Sequence, residues 1–198
     1  MELATLALLA LVVLLLNADV LYFLRLFVVV FKGLVCKQQK DILKEHEIPG
    51  IVLFGDLDSM LHMNNARYLR ECDFARIALC FSHGIAKAMR ACRATIVAGG
   101  LAIRYRRSLT LFERFIIRTK ILCWDSKAFY MEQQFVARRD GRTAAIALVK
   151  MNVRGATPDD VVRNLCRRSV ESPTPPLEVQ CWMEYDDASR QALSDEGQ

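Results

Sequence analysis

Residues 56–70 read DLDSMLHMNNARYLR and bring Asp56, Asp58, His62, Asn64, Asn65 and Tyr68 into one short segment. A carboxylate can serve as a general base or a nucleophile. An imidazole can hold or orient a proton. Asparagine ahead of a helix caps its free N–H groups. Apolar residues fill the gaps between these polar ones, so the segment is not a simple solvated loop. It caps a helix, builds a site, or does both.

The flanking sequence says what would position these residues. Residues 64–85 read as a long helix with Asn64 or Asn65 as N-cap. Leu69, Cys72, Ala75 and Leu79 recur at helical spacing, and Arg67, Arg70, Glu71 and Arg76 fall largely off that stripe. A short strand within 48–58 precedes it, and a short helix, AKAMRAC, follows Gly84. The period then changes to two. Phe115, Ile117, Thr119, Ile121 and Cys123 point one way and Arg114, Arg118 and Lys120 the other. Two further strands flank Asp140-Gly141, a strong hairpin signal. Gly99-Gly100 in an earlier strand predicts a bulge or close packing against the helix. Thr157-Pro158-Asp159-Asp160 opens a last helix, and ESPTPP is a stiff linker to a C-terminal segment. One long apolar-striped helix needs a sheet to cover it, and a sheet curled round one central helix is the simplest α+β solution.

The start of the chain is different. Residues 3–16 and 20–31 are apolar runs with Asn17 and Asp19 between them and Arg25 inside the second. A helix crossing a bilayer core needs roughly 20 apolar residues. A span from about Leu3 to Phe23 meets that, with Asp19 and Arg25 near one interface, where a long side chain can snorkel. No Lys or Arg precedes the span, and Leu16 is a poor residue before a cut after Ala18, so an uncleaved anchor is preferred to a signal peptide. Arg25, Lys32, Lys37 and Lys40 follow it and place the bulk of the chain on the cytosolic side of an intracellular membrane, expected to be the endoplasmic reticulum. Secretion after cleavage is the alternative. The organisation expected is an anchor over 1–31, a linker helix over 32–47, a domain over 48–154, and a helix and tail over 155–198.

The totals narrow the classes. The 198 residues suffice for one domain with a core. A net charge of +5 is mild and suits a membrane surface or an anionic ligand, while no zinc-finger, basic-helix or RNA-binding signature points to nucleic acid. Seven scattered cysteines without a CxxC read as reduced, mostly buried thiols and count against secretion. His46, His62 and His83 lack metal-ligand spacing, so no metal and no cofactor are expected.

The element order and the 56–70 stretch, with DLDSMLHMNNARYL, resemble the hotdog-fold thioesterases of the 4-hydroxybenzoyl-CoA thioesterase type, over about residues 48–154. The 56–70 motif also resembles that of plastid acyl-carrier-protein thioesterases. The resemblance implies hydrolysis of an acyl thioester, carried on CoA or a carrier, by a homodimer or higher homo-oligomer. It implies Asp58, ten residues before Tyr68, as base or nucleophile. The helix start at Asn65 would stabilise the oxyanion, and His62 would orient water or hydrogen-bond the acid. Asn64 and Tyr68 would shape the substrate site, and Arg104, Arg106 and Arg107 would meet phosphates. Two positions depart from the pattern. Met60 stands where the carrier-protein thioesterases have Asn, and Leu61 where many hotdog enzymes have Gly. A module that binds acyl chains or scaffolds partners without turnover is therefore the rival reading.

Overall fold

The computed structural model describes residues 2–17, 19–36 and 41–195. Strands β1 (His46–Ile51), β2 (Thr95–Tyr105), β3 (Arg114–Trp124), β4 (Ala128–Ala137) and β5 (Thr143–Arg154) form one sheet in the order β1-β3-β4-β5-β2. Every pairing is antiparallel. The sheet packs on helix α3 (Asn65–Ser82), whose Tyr68, Cys72, Ala75 and Leu79 are buried against it. This is the α+β hotdog arrangement. The stripe starts at Tyr68 rather than Leu69, which is 38% exposed. The helix also stops three residues short of the expected end, because Gly84 takes a left-handed φ of +77° and restarts the chain as α4 (Ile85–Ala91).

Period two holds in β3 as far as Ile121, with Phe115, Ile117, Thr119 and Ile121 all buried. A register shift between Ile121 and Cys123 then reverses the parity. Cys123 turns away from its expected neighbours and packs with Tyr130 and Val179 on the other face. The β4–β5 hairpin turns at Gly141, φ +69°. Thr157 and Asp160 form a reciprocal cap on α5 (Pro158–Cys166). The C-terminal helix α6 (Leu177–Asp195) lies on the outer sheet face, where Val179 is fully buried and Lys150 pairs with Asp186 at 2.6 Å. The β2 bulge falls between Ala98 and Gly100 as expected. Its close neighbour, however, is Trp182 of α6, 3.3 Å from where a Cβ on Gly100 would sit, and not the long helix. All seven cysteines are free; Cys36 and Cys181 are exposed rather than buried.

The N-terminal runs differ most from expectation. They form two helices, α1 (Glu2–Asn17) and α2 (Val20–Val35), with the Asp19 carboxylate accepting the Tyr22 N–H at the start of the second. No helix among the described residues is long and apolar enough to cross a membrane. Helix α2 lies along α3. Tyr22 meets Phe74 at 5.0 Å, Arg25 stacks on Phe74 at 4.5 Å, and a Cβ on Gly33 would strike Phe81. Arg25 thus turns inward rather than snorkelling. Its guanidinium holds Glu71 with two bonds of 2.5 Å. Glu71 is 2% exposed and Arg76 6%, so neither is a solvated off-stripe residue. Arg76 reaches Gln133 of β4 at 2.8 Å. Of the expected 32–47 linker helix, residues 32–35 belong to α2, residues 41–44 form turns, and Lys37 and Lys40 lie outside the described residues.

Candidate active site

Asp58 sits in a tight hairpin between Leu57 and Met63. Its N–H donates to the His62 carbonyl at 3.0 Å, and the Leu61 N–H donates back to the Asp58 carbonyl at 3.1 Å. Such a loop ends on a left-handed residue, a place that glycine fills without strain. Here Leu61 fills it at φ +60°. The Asp58 carboxylate folds over the turn and accepts the Met60 N–H at 2.9 Å through Oδ1. Its Oδ2 lies 3.3 Å from His62 Nδ1, an ion-pair distance, yet Nδ1 is a buried atom that completes no hydrogen bond. The pair is close but misaligned. Both side chains are about a quarter exposed, at 23% and 25%.

The hairpin leads straight into α3. Asn64 is its N-cap, and its Oδ1 accepts the Ala66 N–H at 2.8 Å. The Asn64 carbonyl accepts the Arg67 N–H at 2.9 Å. Between these, the first N–H of the helix, that of Asn65, has no acceptor among the described residues. It is an unclaimed donor at the positive end of an 18-residue helix. Tyr105 of β2 steadies this turn by donating its hydroxyl to the Asn65 carbonyl at 3.0 Å. A carboxylate and a free helix-start donor in one continuous turn can supply a base or nucleophile and a site for negative charge.

The other expected site residues divide. Tyr68 is 2% exposed and stacks edge-on with Phe135 and Tyr105, so it is a core residue behind the turn. Burial pushes its hydroxyl up to about 12. Arg107 is committed internally, at 2.5 Å from Glu113 and 3.5 Å from Asp140. Burial works to raise the Glu113 carboxyl, but Arg107 and the Thr110 N–H outweigh it and hold the group below the usual range. Arg104 and Arg106 are exposed and have no ion-pair partner among the described residues.

Asp56, two residues before Asp58, is structural. It is 5% exposed, accepts the Leu53 N–H at 2.9 Å, and pairs with Arg70 at 2.6 Å, while its carbonyl accepts the Asn64 N–H at 2.8 Å. Arg70 also reaches Glu71, which holds Arg25. Burial opposes the charge on Arg70, yet Asp56 and Glu71 prevail and hold it above the usual range. The chain Asp56–Arg70–Glu71–Arg25 thus ties the site turn to α2. Its last link was missed because Arg25 lies 46 residues from Glu71 in sequence. The available signal was Arg25 inside an apolar run, eight residues before Gly33 and on the same side of a helix.

The thioesterase-like superfamily model matches residues 52–164. Protein THEM6 of Xenopus laevis is 51% identical over 175 residues, covering 88% of this chain and 84% of that one. Protein THEM6 of Drosophila melanogaster is 35% identical, covering 88% and 91%. Among solved structures, the probable thioesterase YbaW of Escherichia coli superposes with a TM-score of 0.54 at 22% identity, covering 63% of this chain and 98% of that one. The gentisyl-coenzyme A thioesterase BH1999 gives 0.53 at 20% identity, covering 61% and 98%. At these identities the structures speak for the fold.

Proposed function

The chain belongs to the thioesterase-like superfamily, and we propose that it hydrolyses fatty acyl thioesters such as acyl-CoA at an intracellular membrane. The observation that carries this is the Asp58 carboxylate in the same turn as the unclaimed Asn65 N–H. Asp58 takes a proton from water as the oxygen adds to the thioester carbonyl carbon. The Asn65 N–H receives the developing oxyanion. Collapse breaks the C–S bond and the thiolate takes up the proton, giving a fatty acid and a thiol. Direct attack by the carboxylate, with hydrolysis of the resulting anhydride, uses the same two groups. His62 orients the water or the acid. Asn64 holds the turn, and Arg104 and Arg106 are the free cations for carrier phosphates.

A homodimer is part of this reading. Among the described residues strand β2 pairs only with β5, and it offers its other edge to a second copy. The expected setting is the cytosolic face of the endoplasmic reticulum. The test is an acyl-CoA panel with full-length protein and its Asp58→Ala variant; turnover that persists unchanged sinks the assignment. A second reading, an acyl-binding module without turnover, is favoured by the exposed apolar pair Met60 and Leu61, 73% and 74% accessible beside Asp58. Saturable acyl-CoA binding with no hydrolysis selects it.

A further inference from the structure

Helix α2 has an inverted character. Its inner face carries the charge, Arg25, together with Tyr22 and Gly33, and all three are engaged with α3. Its outer face is apolar: Phe23 is 62% exposed, Leu24 59%, Phe27 65%, Phe31 55% and Leu34 61%. A contiguous apolar ridge of that kind marks an interaction surface. We infer that this ridge lies in the plane of a lipid interface, so that α2 rests on the membrane and does not cross it. The inference rests on the membrane reading above and specifies its geometry.

Two observations choose lipid and orientation. Helix α1, joined to α2 through Asp19, exposes Leu3, Leu6, Leu8, Leu9, Leu11, Val12 and Val13, positions that go right round the helix. A protein groove covers one stripe of a helix, whereas lipid covers the whole circumference and the α2 ridge alike. Orientation follows from the contacts with α3. These run in the same direction along both helices, from Tyr22 on Phe74 to Gly33 on Phe81. A spanning α2 would carry Glu71, Arg70 and the sheet-bound helix behind them into hydrocarbon, where charged groups are strongly disfavoured. Lying flat leaves those groups on the protein side.

The experiment uses the full chain, with the exposed Cys36 and Cys181 replaced by serine. Nitroxide labels are placed singly at positions 24, 27, 31 and 34, and their depths are measured in phosphatidylcholine vesicles containing a minor fraction of phosphatidylserine. The expected result is one shared, shallow depth at all four positions, acquired only when vesicles are added. A depth that changes by about 15 Å between positions 24 and 34, the rise of a helix along the normal, overturns the in-plane orientation and leaves membrane attachment standing. Labels already shielded before vesicles are added mark a protein contact, and labels that stay in water mark no docking of α2; either overturns the inference, and a chain that fails to float with the vesicles at all overturns the membrane reading as well.

Discussion

The two ends of α3 use the same side-chain types in opposite ways. At its start, Asp58 and His62 are a quarter exposed, close but misaligned, beside a donor that nothing claims. At its end, His83 is wholly buried, its Nδ1 lies 2.9 Å from the Asp41 carbonyl, and the His46 ring packs edge-on at 5.4 Å. The first end keeps hydrogen-bonding capacity in reserve for a reactant. The second serves to join segments through His83 Nδ1, although its Nε2 is likewise buried without a partner among the described residues and a cavity opens beside His46 and Ser82. Exposure, more than residue type, separates the two ends, with Asp58 and His62 about a quarter exposed and His83 wholly buried. Asp56 and Asp58 repeat the lesson two residues apart, one locked to Arg70 and one left half-open.

The comparison is easiest to break at Asp58. Asp58→Ala is expected to lower acyl-CoA turnover by about 100-fold or more, the usual scale for losing a general base, while the thermal midpoint stays near that of the parent. Loss of both together would make Asp58 a structural residue like Asp56. Arg25→Ala acts the other way. It leaves Glu71 buried with Arg70 as its remaining partner, and should cost about 2 kcal/mol in urea unfolding, the scale of hydrogen bonds to a charged group. An unchanged midpoint would show that α2 is not fastened through this ion pair. Leu61→Gly removes a left-handed leucine and should stabilise the chain by about 1 kcal/mol, with activity retained. If activity falls instead, the leucine side chain itself serves the substrate.

The smallest effect is a pH dependence that belongs to the buried end. Burial lowers both His83 and His46 from the ordinary 6.5, and the charge of His83 lowers His46 further. Between each depressed value and 6.5 the unfolded chain binds more protons than the folded one. Stability should therefore be full above 6.5 and decline as the pH falls from there through the folded values. His46→Gln should flatten the urea midpoint in that window. A decline that survives the substitution at full size would place the titration elsewhere.

Much of the fold was legible because its signals are local. Period two marks β3, Asp140-Gly141 marks a hairpin, and Thr157-Pro158 marks a helix start. The turn from Asp58 to Asn65 is likewise contiguous, so its capping logic could be read directly. What escaped depends on residues distant in sequence. Nothing near Glu71 says that a helix from the first thirty-six residues will cover it, and an apolar run reads the same whether it faces lipid or a neighbouring helix. Cys123 was misplaced by one bulge, which no single residue announces. Tyr68 keeps the spacing of the motif, yet its ring faces the core because the apolar stripe of α3 passes through it.

The sheet's two margins are unequal. One is β1, six residues long with Pro49 in its middle, a residue that has no N–H to offer. The other is β2, eleven residues long and, among the described residues, unpaired on its far side. A ribbon with a single adhesive border cannot lengthen indefinitely. Two copies joined through β2 would present only their β1 borders to the solvent. Growth by strand addition would stop at a pair, which protects a protein with an open edge from running on into fibres.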